Sequence, residues 1–232
     1  VEWKPDVSGL FDKLMVYGNV STGFRSGSYN AEFAATQSAL TSLAPEKITA
    51  YELGFKSTLA GRTMQINGAV FHYDFRDGFI NVDSATSLIP VTINAAGINT
   101  WGAELDWQWR PVRDLSLGMT LGWLDSKIDS NISSGGQSLK GARTVQSPRW
   151  TYNAQASFTP EIGNGLKLIA SGDASWRSSQ FYETTNSPMS LEPGYWLVNA
   201  RLGVGASDDR WSLTAFARNL TDSHYRTYVN DL

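Results

Sequence analysis

His72 and His224 are the only side chains here that normally titrate near neutral pH. They lie far apart in sequence, and neither has acidic or imidazole partners at ligand spacing. The chain has no cysteine, which excludes thiolate metal sites and disulfides. Asp125, Asp129 and Asn131 approach the pattern of a calcium loop. The twelfth position of that frame is Gly136, however, where a bidentate carboxylate is required. No pairing of acid and base suggests an enzyme. A net charge of −3 leaves no basic footprint for nucleic acid. The remaining chemistry lies in a recurring set of charges: Glu52, Lys56, Glu104, Asp106, Arg110, Asp173, Arg177, Arg201 and Arg218. All fall on the polar parity of strand-like segments. They fit either a solvated wall with cross-strand ion pairs, each worth about 0–1 kcal/mol, or the lining of a polar interior.

The segments that must position these charges alternate with period two, so that successive side chains point to opposite faces. The clearest case is the hairpin within Asn94 to Ile128. Trp101, Ala103, Leu105, Trp107 and Trp109 take one parity, and Gly102, Glu104, Asp106, Gln108 and Arg110 the other. After an expected five-residue turn at Arg110 to Asp114, Leu115, Leu117, Met119, Leu121 and Trp123 resume the apolar face. Similar strands are expected at about Leu14 to Phe24, Ile48 to Thr58, Trp150 to Phe158, Leu166 to Arg177, Trp196 to Val204 and Trp211 to Arg218. In the strand from about Thr63 to Arg76 both parities carry apolar residues, and its lipid or lumen parity stays open. Asn67-Gly68 is read as part of that strand rather than as a turn. Ala31 to Ala35 could form a short helical turn, without a sustained helical period.

The connections alternate in length. Short turns follow Thr58, Arg110, Thr159 and Gly205, and long loops separate them, so one end of an up-and-down sheet is tight and the other is heavily decorated. No run approaches the roughly eighteen apolar residues of a spanning helix, whereas strands of about ten residues suit a tilted bilayer crossing. Nine Trp, nine Tyr and ten Phe are a heavy aromatic load. Trp101, Trp123, Trp150, Trp176, Trp196 and Trp211 sit near strand ends, where interfacial girdles form. The expected fold class is all-β: an antiparallel up-and-down transmembrane β-barrel. A soluble β-sandwich or ligand-binding β-barrel has the same period but shorter loops.

Four motifs in order carry a family resemblance. Tyr17-Gly18-Asn19-Val20-Ser21-Thr22-Gly23-Phe24-Arg25 resembles the "Y-x-x-x-S-x-G-F-[KR]" strand of TonB-dependent outer-membrane receptors. Pro45-Glu46 through Tyr51-Glu52-Leu53-Gly54-Phe55-Lys56 is similar to their "P-E-x-x-x-x-Y-E-[LV]-G-x-K" strand. Asn94-Ala95-Ala96-Gly97 through Gly102-Ala103-Glu104-Leu105 is similar to their "N-A-G … G-x-E-x" strand. Ala217-Arg218-Asn219-Leu220-Thr221-Asp222 with Tyr225 resembles their "N-L-[TF]-[DN]-x-x-Y" signature.

The resemblance implies a barrel of about twenty-two strands around a plug. Residues 1–232 would supply roughly the last nine or ten strands, with the plug, the TonB box, the signal peptide and the final strand outside the sequence. It implies a bacterial outer-membrane location, contact with outer-membrane lipid and the protein's own N-terminal plug, and energy from TonB. The expected cargo is a scarce solute, foremost a ferric siderophore, with no cofactor. Glu52, Lys56, Glu104, Asp106, Arg110, Asp173, Arg201 and Arg218 would then face the lumen and plug, Glu52 and Glu104 foremost. Arg25, Tyr29, Arg177, Phe181 and Tyr182 lie at or beyond strand ends on the long-loop side. Arginine and aromatic groups there suit an anionic or catecholate chelate, though ordinary loop and girdle roles fit them too. The alternative is a complete ten-strand outer-membrane barrel, an adhesin or surface hydrolase.

Overall fold

A computed structural model describes residues 1–7, 9–30, 41–84, 87–94 and 97–229. Ten strands follow one another across a single antiparallel sheet in chain order. They are β1 (Glu2–Trp3), β2 (Phe11–Arg25), β3 (Glu46–Leu59), β4 (Met64–Arg76) and β5 (Ile98–Val112). Then come β6 (Leu115–Ile128), β7 (Trp150–Phe158), β8 (Leu166–Arg177), β9 (Tyr195–Ala206) and β10 (Ser212–Ala217). A further short strand, Glu161–Gly163, pairs with the start of β8. Every strand pairs only with its neighbours in sequence, the mark of an up-and-down meander, and among the described residues β1 and β10 do not meet. The sheet is therefore open, unlike a closed ten-strand barrel. The possible helical turn at Ala31 to Ala35 lies outside the described residues.

The expected strands are present, and most run longer than expected. The turn after Arg110 is tighter: β5 continues through Pro111 to Val112, leaving Arg113 and Asp114 as the turn. The register slips between Leu115 and Leu117, so Arg110 and Pro111 both lie opposite Ser116. A proline cannot donate to a ladder and is tolerated at such a bulge, which is why this Pro did not end the strand. Asn164 and Gly165, both at positive φ, close the β8 turn as a two-residue primed hairpin. Asn67-Gly68, the same dipeptide, lies inside β4 as read.

Register settles the open parity of β4. Met64, Ile66, Gly68, Val70 and His72 pair with Trp109, Trp107, Leu105, Ala103 and Trp101 on the apolar face. Gln65, Asn67, Ala69, Phe71 and Tyr73 share the other face with Glu104 and Asp106. The blur had a local cause. Phe71 lies over Gly102, where a Cβ would overlap its ring, and stacks on Tyr73 at 4.7 Å. This aromatic patch sits on the polar face because a glycine across the ladder makes room for it.

Among the described residues, none covers the apolar face. Leu53, Val70, Trp101 and Leu202 are 57, 53, 54 and 61 % exposed in mid-sheet. The chain exposes 14835 Å², against about 10,000 Å² for a compact globule of this mass. The buried apolar cluster lies instead among the long connections: Ile80, Val82, Ile128 and Leu139, with Ile93, Ile132 and Ala142 packed around it.

Candidate lumen wall and outer-loop site

The polar face of β2–β10 forms a wall on which most of the expected charges lie together. Glu52, Lys56, Glu104, Asp106, Asp173 and Arg201 share one face by register, and Arg218 continues the parity of Phe216 just beyond β10. Arg110 stands at the bulge, where strict alternation ends. The expected cross-strand ion pairs are not formed. Among the described residues, none of these eight is in a salt bridge with another charged side chain. The register gives the reason: Glu52 lies across from Asn19 and Phe71, Glu104 from Ala69 and Gly122, and Asp173 from Gln155 and Asn199.

Neutral donors hold Glu52, Asp106 and Asp173 instead. The Tyr17 hydroxyl donates to Glu52 at 2.6 Å. Asn67 donates to Asp106 at 3.4 Å and Asn199 to Asp173 at 2.7 Å. Tyr17 reaches Glu52 by laying its ring across Gly54, where a Cβ would stand 2.6 Å from the ring. Lys56 stands 5.8 Å above the same ring. Glu52, Glu104 and Asp106 cluster on β3 and β5 with Lys56 among them, whereas Arg201 and Arg218 lie toward β9 and β10 with Asp173 beside them on β8.

At the long-loop end the connections are joined by amides that grip backbone. Asn94 accepts from the Ala44 amide at 2.8 Å and donates to its carbonyl at 3.0 Å. Asn186, at φ 55°, does the same to Arg143, at 2.7 and 2.9 Å. The Arg143 guanidinium donates to the carbonyls of Ser147 and Ser179 at 2.9 and 3.1 Å. Burial, and then the nearby Arg149 charge, lower its pKa, although a guanidinium stays charged. Arg226 binds the nearly buried Glu192 at 2.7 Å and donates to the carbonyls of Met189 and Leu191.

The five outer candidates do not form one cluster. Arg25 pairs with Glu46 at 2.9 Å and lies 4.1 Å from the Phe79 ring centre, so its charge is already engaged. Tyr29 stands on the Ser28–Asn30 ribbon, 65 % exposed. Phe181 lies under the Arg143 guanidinium at 5.7 Å, and the Tyr182 hydroxyl donates to the Arg226 carbonyl. Arg177 remains exposed on the polar face, 5.4 Å from the Tyr195 ring, which stacks on Tyr225 at 4.4 Å. Sequence reasoning did not find Arg143, Asn186, Glu192, Tyr195 or Arg226 as a set. Their partners are backbone atoms and loops distant in sequence, which leave no spacing signal.

The possible calcium loop is used otherwise. Asp125 pairs with Lys127 at 2.8 Å and Arg149 at 3.2 Å. His72 stacks on Trp101 at 4.3 Å on the apolar face, as a strand-face residue.

Solved structures share this arrangement. The ferric yersiniabactin uptake receptor of Yersinia pestis matches 95 % of this chain over 32 % of its own, with a TM-score of 0.79 and 21 % identity. The ferric preacinetobactin receptor of Acinetobacter baumannii matches 97 % over 32 %, with a TM-score of 0.66 and 21 % identity. A copper transporter matches 97 % over 33 %, with a TM-score of 0.68 and 14 % identity. The chain thus spans about one third of the length of the structures it matches. The family model for the TonB-dependent receptor-like β-barrel matches residues 1–220, and the chain belongs to that family.

Proposed function

We infer that these strands are the C-terminal part of an outer-membrane barrel of about twenty-two strands that imports a ferric siderophore with energy delivered through TonB. The observation that carries the membrane reading is the one-sided sheet: an apolar face over which the described residues place no protein core, and a polar face bearing every central charge. In a bilayer an open sheet edge is not tolerated, so both edges call for further strands. The polar face then lines a lumen occupied by a plug. Its acidic half, Glu52, Glu104 and Asp106, suits a basic plug surface, and Arg201 and Arg218 suit an acidic one. Lys56 and Asp173 belong to the same lining. The protein acts as a transporter, not an enzyme.

Iron chelates are supported by the similar receptors, one an uptake receptor for ferric yersiniabactin and one a receptor for ferric preacinetobactin. The exposed Arg177 beside Tyr195 and Tyr225, together with Tyr29, gives the long-loop end cationic and aromatic groups for an anionic chelate. Phe181 and Tyr182 shape that rim, and Arg25 anchors it. A second reading, uptake of another metal, has the similar copper transporter in its favour. Deleting the gene and testing growth on a panel of iron sources under iron limitation separates the two. We expect loss of growth on one ferric siderophore and none on free iron salts. Full growth on every siderophore, with altered copper accumulation, would instead select the second reading.

A further inference from the structure

The segment that follows β10 is hung on the polar wall. It leaves the strand through a turn with Asn219 and Asp222 at positive φ, 51° and 48°. The Asn219 N–H donates to the side-chain oxygen of Asn199 on β9 at 3.1 Å. The Asn219 side chain then closes the turn, accepting from the Ser223 N–H at 3.0 Å and donating to the Ser223 carbonyl at 3.1 Å. The hydroxyls of Thr221 and Ser223 both donate to the Trp196 carbonyl of β9. Beyond this turn Tyr225 lies on Tyr195, their ring planes 7° apart, and Arg226 meets Glu192.

The bond from Asn219 to Asn199 has a direction. A side-chain amide carries an acceptor oxygen and a donor nitrogen on one planar group, so whatever holds one end decides what the other presents. Asp173 lies directly opposite Asn199 on β8. An ionised carboxylate only accepts, and Asp173 takes the Asn199 nitrogen at 2.7 Å. The oxygen is thereby left facing the Asn219 N–H. A reversed amide would set donor against donor at Asn219 and acceptor against acceptor at Asp173. Asp173 is in no salt bridge among the described residues, so this amide is the group its carboxylate serves.

We propose that Asp173 is a positioning residue for the outer rim. By fixing the Asn199 amide it holds the 219–226 segment, and through that segment it sets Tyr225 against Tyr195 beside Arg177. Asp173 stands four positions along β8 from Arg177, about 14 Å at ~3.4 Å per residue, and acts through Asn199 rather than by contact with the solute. The consequence for uptake rests on the reading of Arg177, Tyr195 and Tyr225 as the solute rim. The relay from Asp173 to Tyr225 does not depend on which solute is carried.

The test reads the full-length receptor in detergent by deuterium exchange over residues 218–228 and by nitration of Tyr225 with tetranitromethane. Asp173→Ala should speed exchange there about fivefold, the change expected from the loss of one hydrogen bond, and should speed nitration with it. Asp173→Asn keeps a side-chain oxygen for the Asn199 nitrogen and should restore both to wild-type rates, a rescue that a simple loss of wall charge would not give. Asp106→Ala removes another carboxylate held by an amide, that of Asn67, and should leave both rates unchanged. If Asp173→Ala fails to assemble, Asp173→Ser, too short to reach Asn199, should show the same acceleration. The proposal is overturned by unchanged exchange in the Ala and Ser variants, by equal acceleration in Asp173→Asn or Asp106→Ala, or by faster exchange without faster nitration, which would end the relay at the turn. None of these results bears on whether a siderophore is carried, which the growth panel decides.

Discussion

The sheet and the loop layer of this molecule are stabilised by opposite means. Across the sheet, ladder hydrogen bonds satisfy the backbone and large apolar side chains point away from any protein core, so stability there depends on what lies outside the chain. The loops and the end of β6 bury Ile80, Val82, Ile128 and Leu139, and the loops tie themselves together through Asn94, Asn186, Arg143 and Arg226. A soluble domain would place its core beneath the sheet and leave its loops solvated. The inversion is the arrangement expected of a sheet built for an apolar solvent whose loops, built for water, make their own core.

The largest expected effect tests which face meets lipid. Leu121 and Thr120 are adjacent on β6, one across from Leu105 and the other from Asp106. Trp109 lies eight positions after Trp101, about 27 Å of strand at ~3.4 Å per residue, so Leu105 and Leu121 lie near mid-depth. In the full-length protein, Leu121→Arg should cost about 2–4 kcal/mol of folding into bilayers, with Thr120→Arg nearly silent. Heat-modifiable gel migration after refolding into liposomes reads both. Equal losses would show that the faces are not differently solvated.

Much of the sheet was legible in the sequence because strand period is a local property. Trp101 to Trp109 and Leu115 to Trp123 state their faces without help from neighbours. β4 did not, because the place of Phe71 depends on Gly102 in another strand. The turn at Arg113 and Asp114 was read as five residues because Pro111 reads as a strand end unless the bulge opposite Ser116 is known. The wall charges were located but their pairing was not: parity assigns a face, whereas an ion pair requires knowledge of which residue lies across. The loop layer was the least legible. Asn186 recognises the backbone of Arg143, and any residue would offer that backbone.

The loop half of the comparison is tested by Asn186→Ala. The substitution removes both bonds to the Arg143 backbone and puts alanine at φ 55°. Unmet amide and carbonyl groups cost about 1–3 kcal/mol when buried. Hydrogen exchange should accelerate at the Arg143 amide and its surroundings in the 129–149 and 178–194 connections, while β5–β8 exchange as before. Asn186→Gly relieves the backbone conformation without restoring the bonds, so it should loosen the same region to a smaller degree. If strand amides accelerated equally, the loop layer and the sheet would be one cooperative unit.

The smallest effect asks whether the polar wall is wet. Tyr17→Phe removes only the hydroxyl that donates to Glu52. Water reaching Glu52 on the polar face can replace that donor, and the expected loss is then no more than about 1 kcal/mol. Tyr17→Ala also removes the ring lying across Gly54 and should cost more, since the glycine surface is then uncovered. Urea unfolding of the full-length protein in lipid separates the two variants. A Phe variant as damaged as the Ala variant would mean that Glu52 is shut away from water. Glu52 would then need a covering partner on the polar face, as the proposed plug would provide.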